Sequence, residues 1–209
     1  MIKLLHITAV MLSLVIPALS PNLAEAKSPS EEIQQAETYL RNLKTAKADF
    51  IQRNGQGGRL TGTFYLNRPG KLRFEYNEVE DFIVADGLFI YFFDSELNEQ
   101  TNAPIGQTLA DFLLRKDLSL DGDISVEDIG YSGKLKVFTL AQADDIGAGT
   151  VKLFFTQEPF ALKKWQVHDA AGQTTEIELS NMETDIELSN SLFGFVHPDK
   201  TSGKTKFNQ

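Results

Sequence analysis

From Ala48 onward the chain alternates apolar and polar residues with a period of two, and turn signals interrupt it every several residues. That pattern admits short, half-buried strands joined by tight turns and little else. Leu60, Gly62, Phe64 and Leu66 alternate with Thr61, Thr63, Tyr65 and Asn67. Leu72, Phe74 and Tyr76 alternate with Arg73, Glu75 and Asn77. Between these runs, residues 67–70 (Asn-Arg-Pro-Gly) predict a type II turn. Asp86-Gly87 predicts a hairpin between strands at 82–85 and 88–93. Further strands are expected at 124–129, 135–140, 151–156, 162–168, 174–179, 186–188 and 193–196. The run 88–93 is apolar on both faces, so one face must be covered by a helix or a partner.

Two segments carry the helical period instead. Ser28 can cap a helix, Pro29 fits its first position and Glu31 completes a capping box. Ile33, Ala36, Leu40 and Leu43 then recur on one face, predicting a helix over 29–43. Residues 105–116 predict a second helix, with Leu109, Phe112 and Leu113 on a shared face. The fold class is therefore α+β and mainly β: a curled antiparallel sheet of about ten strands, a barrel or an unclosed one, with helices over its open side. Such a shape encloses either a packed core or a ligand cavity, and the pattern does not choose between them.

Residues 1–26 predict a cleavable signal peptide. Lys3 gives a positive start, 4–16 is an apolar run broken only by His6, Thr8 and Ser13, and Ala24-Glu25-Ala26 has the small-x-small form of a cleavage site. The run is shorter than the roughly 20 apolar residues of a spanning helix. Residues 27–209 are expected to form one domain, with a polar tail from Lys200. The sequence contains no Cys, so a disulfide framework, thiol chemistry and lipid anchoring through Cys are excluded. The formal charge of −9 argues against nucleic acid and against anionic membrane surfaces.

Motifs for chemistry are sparse. His168 and His197 lie in different strand contexts with no nucleophile motif beside them. Glu75, Glu78, Glu80 and Asp81 crowd one turn, either a solvated loop or an acid/base or cation site. Asp117, Ser119, Asp121, Gly122, Asp123, Ser125 and Asp128 approach the spacing of an EF-hand calcium loop. Against calcium, Asp128 stands where a bidentate Glu is usual, and residues 129–133 will not hold an exit helix.

Several stretches, in order along the chain, resemble the LolA family of lipoprotein carriers. Residues 48–52 (Ala-Asp-Phe-Ile-Gln) resemble its strand after the first helix. Residues 62–76, with Arg68-Pro69 at their turn, resemble its central hairpin. Residues 85–87 with 91–94, then 162–165, Asp169, 172–174, 179–181 and 193–195 before Pro198 resemble the remainder. The resemblance implies an unclosed antiparallel barrel with a helical lid over an apolar cavity, and no catalysis and no cofactor. It implies a protein of the Gram-negative periplasm that takes acylated lipoproteins from an inner-membrane ABC exporter to an outer-membrane acceptor; a monomer is expected, with a dimer left open by the sequence. The absence of Cys fits the soluble carrier and not the anchored receptor of that pathway.

By the same resemblance, Arg68 holds the lid closed through backbone carbonyls until cargo binds. Leu109, Phe112 and Leu113 become the lid's inner face. The cavity wall is expected from Phe50, Phe64, Leu66, Leu72, Phe74 and Tyr76, from Phe89, Tyr91 and Phe93, and from Phe155 and Trp165. The alternatives are another periplasmic lipid-binding protein or an envelope-stress sensor on the same half-barrel, and an unrecognised secreted hydrolase.

Overall fold

The computed structural model describes residues 28–142 and 149–198. The signal-peptide segment and the tail from Lys200 lie outside the described residues. Helix α1 (Pro29–Asn42) begins with the capping box intact: Ser28 accepts from the Glu31 amide, and the Glu31 carboxylate accepts from the Ser28 amide at 2.8 Å. Eleven strands follow: β1 (Thr45–Asn54), β2 (Arg59–Asn67), β3 (Lys71–Tyr76), β4 (Phe82–Asp86), β5 (Phe89–Asp94), β6 (Glu99–Pro104), β7 (Ile124–Ser132), β8 (Leu135–Gln142), β9 (Gly149–Gln157), β10 (Phe160–Asp169) and β11 (Thr174–Thr184).

All eleven join one antiparallel sheet in the order β6-β5-β4-β3-β2-β1-β11-β10-β9-β8-β7. Each half of the chain makes a meander of neighbours, and pairing of β1 with β11 welds the halves together. Register shifts add a residue to β11 against β1, to β7 against β8 and to β10 against β9, which bends the sheet. The two edges, β6 and β7, do not pair, so the barrel stays open.

Because β6 and β7 sit at opposite edges, the chain between them must cross the concave side. This crossing carries a 3-10 turn (Ile105–Gln107) and a single-turn helix α2 (Asp111–Leu114). The continuous helix predicted over 105–116 is thus corrected to two short pieces. Thr108 takes an extended backbone (φ −124°, ψ 154°), which ends the first piece before α2 begins. Helix α1 covers the other part of the concave side. Ala36 and Leu40 are fully buried there, and Tyr39 meets Phe155 edge-on with ring centroids 5.5 Å apart. Lys136 of β8 pairs with Glu32 at the start of α1.

Three further expectations are corrected. The Arg68–Pro69 peptide is cis, so the 67–70 turn is not type II. Residues 99–104 form a strand that their polar composition did not announce. Residues 186–188 and 193–196 are not strands. The segment after β11 instead runs as a strap along the convex face, with a 3-10 turn at Asn190–Phe193. Lys71 donates to Asn190 at 2.8 Å, Phe193 is buried, and Phe195 stacks on Tyr91 at 5.0 Å.

Two residues make the sheet's packing testable. A Cβ at Gly62 would lie 1.9 Å from the Glu75 carbonyl and 2.7 Å from the Phe50 ring. Gly62→Ala is expected to cost roughly 1–3 kcal/mol, read from chemical denaturation. Glu176 on β11 is half-buried, which opposes its ionisation. Hydrogen bonds from Lys164 (2.7 Å) and Gln166 (2.8 Å), with the charges of Lys164 and Arg53, outweigh that and hold its pKa below the usual carboxylate value. Its contribution to stability is present above about pH 4.3 and disappears as pH falls through the lower native value. A pH series of unfolding curves should show that acid loss, and Glu176→Gln should flatten it.

Candidate functional site

Between the concave sheet and the crossing segment lies a cavity of about 180 Å³. Its floor is Leu72 and Phe74 of β3, Ile83 of β4, Ile90 of β5, Trp165 and Val167 of β10 and Ile177 of β11. Its roof is Leu109, Ala110, Phe112 and Leu113, so residues 105–116 act geometrically as a lid. Gln52 and Thr175 stand at one end. The strand period puts these floor residues on the same face. The single turn of α2 points Phe112 and Leu113 down, and Phe112 meets Trp165 edge-on with centroids 6.3 Å apart. A second hollow of about 20 Å³ lies on the far side of the lid, and Leu109 and Phe112 line both. The lid is therefore a partition standing in the concave space.

The residues expected to line the cavity fall into three groups. Leu72, Phe74, Trp165, Leu109, Phe112 and Leu113 do line it. Phe50, Phe64, Leu66 and Phe155 are buried in the packed core, outside the lining set. Phe64 lies 5.8 Å from Trp165 and supports it from the side, whereas Phe155 stacks on Phe160 at 4.6 Å, beneath α1. Tyr76 packs its ring on Phe50 at 5.3 Å and sends its hydroxyl to Gln52.

Phe89, Tyr91 and Phe93 are a correction: they belong to the opposite, convex face. Phe93 stacks with Phe82 at 5.2 Å, and Tyr91 and Phe93 meet Phe195 and His197 of the strap. Both parities of β5 are apolar, so alternation carried no choice of face. Ile83 and Ile90, absent from the expected lining, line the cavity instead.

Arg68 sits where the lid returns to the sheet. Only 9% of it is exposed. One guanidinium nitrogen donates to the Leu40 carbonyl in the last turn of α1, the other to the Arg115 carbonyl that ends α2. Its Nε is buried with no partner among the described residues, and burial pulls its pKa down from the ordinary arginine value. Beside it the Gly70 amide donates to the Leu114 carbonyl at 2.9 Å. Gly70 has φ +81°, and its Cα face abuts Gly87, so a side chain has no room there. The β2–β3 turn thus grips both helices by their terminal carbonyls, groups with no partner inside the helix.

The chain leaving the lid is held as well. Arg115 donates to Asp123 at 2.6 Å and to Asp111 at 2.8 Å, and these carboxylates push its pKa up. Arg41 of α1 donates to the Leu118 carbonyl at 2.9 Å, and Glu37 accepts from the Leu120 amide at 2.7 Å. Leu118 and Leu120 are buried.

That arrangement accounts for the calcium-like spacing. Asp123 is taken by Arg115, Asp121 accepts from Ser119 and bridges backbone to backbone with Ser125, and Asp128 lies within β7. With alternate residues buried as Leu118 and Leu120, Asp117, Ser119, Asp121, Asp123 and Asp128 do not converge. Among the described residues no three acidic or histidine side chains gather in a cation-binding group. His168 bonds Thr174 at the end of the β10–β11 hairpin, His197 packs on Phe93, and neither lines the cavity. Among the described residues no helix is long and apolar enough to cross a membrane.

Residues 41–196 match the family model described as outer membrane lipoprotein carrier protein LolA. The chain is 32% identical to the outer-membrane lipoprotein carrier protein of Dechloromonas aromatica, over 93% of this chain and 95% of the relative. It is 29% identical to that of Methylococcus capsulatus, over 88% and 92%. Among solved structures, a LolA superfamily protein from Nitrosomonas europaea aligns at a TM-score of 0.47 with 11% identity, over 81% of this chain and 99% of that one. The chain belongs to the LolA family of outer membrane lipoprotein carrier proteins.

Proposed function

We propose that this protein is a periplasmic carrier that binds the acyl chains of lipoproteins released from the inner membrane and delivers them to the outer membrane. The observation that carries the reading is an apolar cavity roofed by a lid that only short-range contacts hold shut. Its kin are carriers by name. An exposed acyl chain costs roughly 0.8 kcal/mol per methylene, so a carrier must enclose it to move it through water. The present cavity, about 180 Å³, is smaller than the roughly 300–1,000 Å³ of ordinary ligand sites. Cargo must therefore displace the lid, and withdrawal of Phe112 would open the cavity toward the second hollow.

In this reading the closed, empty protein is one state and the open, loaded protein the other. A loaded carrier must also let go, and Arg68 supplies the bias. Its donors reach carbonyls of α1 and α2 together only when the lid is seated. Reclosure recovers those bonds and so favours release. The donor of cargo is an inner-membrane ABC exporter and the recipient an outer-membrane lipoprotein acceptor, with the protein acting as a soluble monomer.

Native mass spectrometry tests the reading directly. Mature protein mixed with vesicles that carry the exporter and a triacylated lipoprotein should yield a soluble one-to-one complex. If none forms while the exporter is active, the scaffold serves another lipid or a sensing role. Arg68→Leu should still form the complex but pass its cargo to the acceptor at least tenfold more slowly. Transfer by that variant at the normal rate would exclude Arg68 from the release step.

A further inference from the structure

The cavity is not apolar along its whole length. Leu72 and Leu113 close the end nearest the β2–β3 turn, where Arg68 and Gly70 grip the chain at the end of α2. The opposite end finishes in Gln52 and Thr175. Gln52 pairs with Ile177 across the β1–β11 ladder, so Thr175, two residues back on β11, is its diagonal neighbour. Such neighbours stand roughly 7–8 Å apart on one face.

Gln52 is held in a defined orientation. The Tyr76 hydroxyl donates to its Oε1 at 2.8 Å, and the Tyr76 ring is fixed edge-on against Phe50. Burial, with the charge of Asp81, pushes the Tyr76 phenol up to about 12, so it stays a donor through neutral pH. With its oxygen engaged, Gln52 has the N–H groups of its amide to offer. No described residue accepts from them, and none bonds the Thr175 hydroxyl. Hydrocarbon has no use for donors, and an apolar site that leaves them unmatched loses affinity.

We propose that Gln52, oriented by Tyr76, forms with Thr175 a subsite for the carbonyl oxygen at the head of a bound acyl chain, ester- or amide-linked. This rests on the carrier reading. It gives the cargo a direction: methyl ends toward the β2–β3 turn and the lid latch, polar head at the Gln52 end, where the 55–58 and 170–173 loops bound the sheet. The deep end then answers to chain length and the Gln52 end to linkage chemistry.

Displacement of a fluorescent fatty-acyl reporter by hexadecane, methyl palmitate and N-methyl palmitamide tests the subsite. Wild-type protein should bind all three. Gln52→Leu should weaken the two carbonyl probes about fivefold and leave hexadecane unchanged, as loss of one hydrogen bond requires. Tyr76→Phe keeps the ring on Phe50 and should lose part of the same discrimination. Circular dichroism melting of both variants establishes that they are folded. Weakening of only one carbonyl probe supports the subsite and identifies its linkage. Unchanged binding of both carbonyl probes by folded Gln52→Leu overturns the subsite and leaves the carrier reading standing. Failure of the wild-type protein to bind any of the three overturns both.

Discussion

Pairing of β1 with β11 is the contact on which the rest of the architecture depends. It joins two meanders that would otherwise be separate sheets, and it sends β6 and β7 to opposite edges. The link between those strands then has one short route, across the concave face. A lid is the geometric consequence of strand order, and the apolar space beneath it follows from the lid being only a single helical turn thick. Were β6 and β7 adjacent, the same residues would close a hairpin and the interior would be an ordinary core.

The lid's seat is unlike the sheet's. Within the sheet, ladders and interdigitated aromatics such as Phe50, Phe64 and Phe74 lock each element through many small contacts. At the lid, Phe112, Leu113 and Leu114 are buried against the sheet, and a few polar clamps fix the ends: Arg68 and Gly70 at one end, and the Arg115 fork with the Glu37–Arg41 pair beyond it. Few strong points can be released together, whereas a packed core cannot be opened by degrees. On the carrier reading proposed above, the molecule combines a rigid wall with a removable cover, and the two use different interactions to do so.

Legibility in the sequence followed the source of each signal. Strands with one buried face, such as β2 and β3, stood out because burial itself imposes the period. Strand β6 (Glu-Gln-Thr-Asn-Ala-Pro) did not, since an edge strand with both faces wet has no pattern to show. Strand β5 was visible as a strand but not in its facing, because the strap supplies an apolar partner for its second side. Phe193 and Phe195 read as a closing strand, and only tertiary structure reveals them as that partner. The role of Arg68 came from resemblance alone, because nothing in a turn arginine announces which carbonyls lie within its reach. Gln52 was invisible as a site residue. It alternates correctly with Phe50, and its meaning depends on Tyr76 arriving from two strands away.

Apart from the Arg115 fork, which joins side chains, the clamps have one property in common: Arg68, Gly70, Arg41 and Glu37 all hold main-chain groups of the lid or of its exit. Main-chain carbonyls and amides are the same whatever residue bears them. Substitutions at Leu109, Phe112 or Leu113 can therefore reshape the roof over the cargo while the machinery that shuts it is left intact. Closure and selectivity are written in separate alphabets, one in backbone and one in side chains, and a lineage meeting new cargo can revise the second without relearning the first.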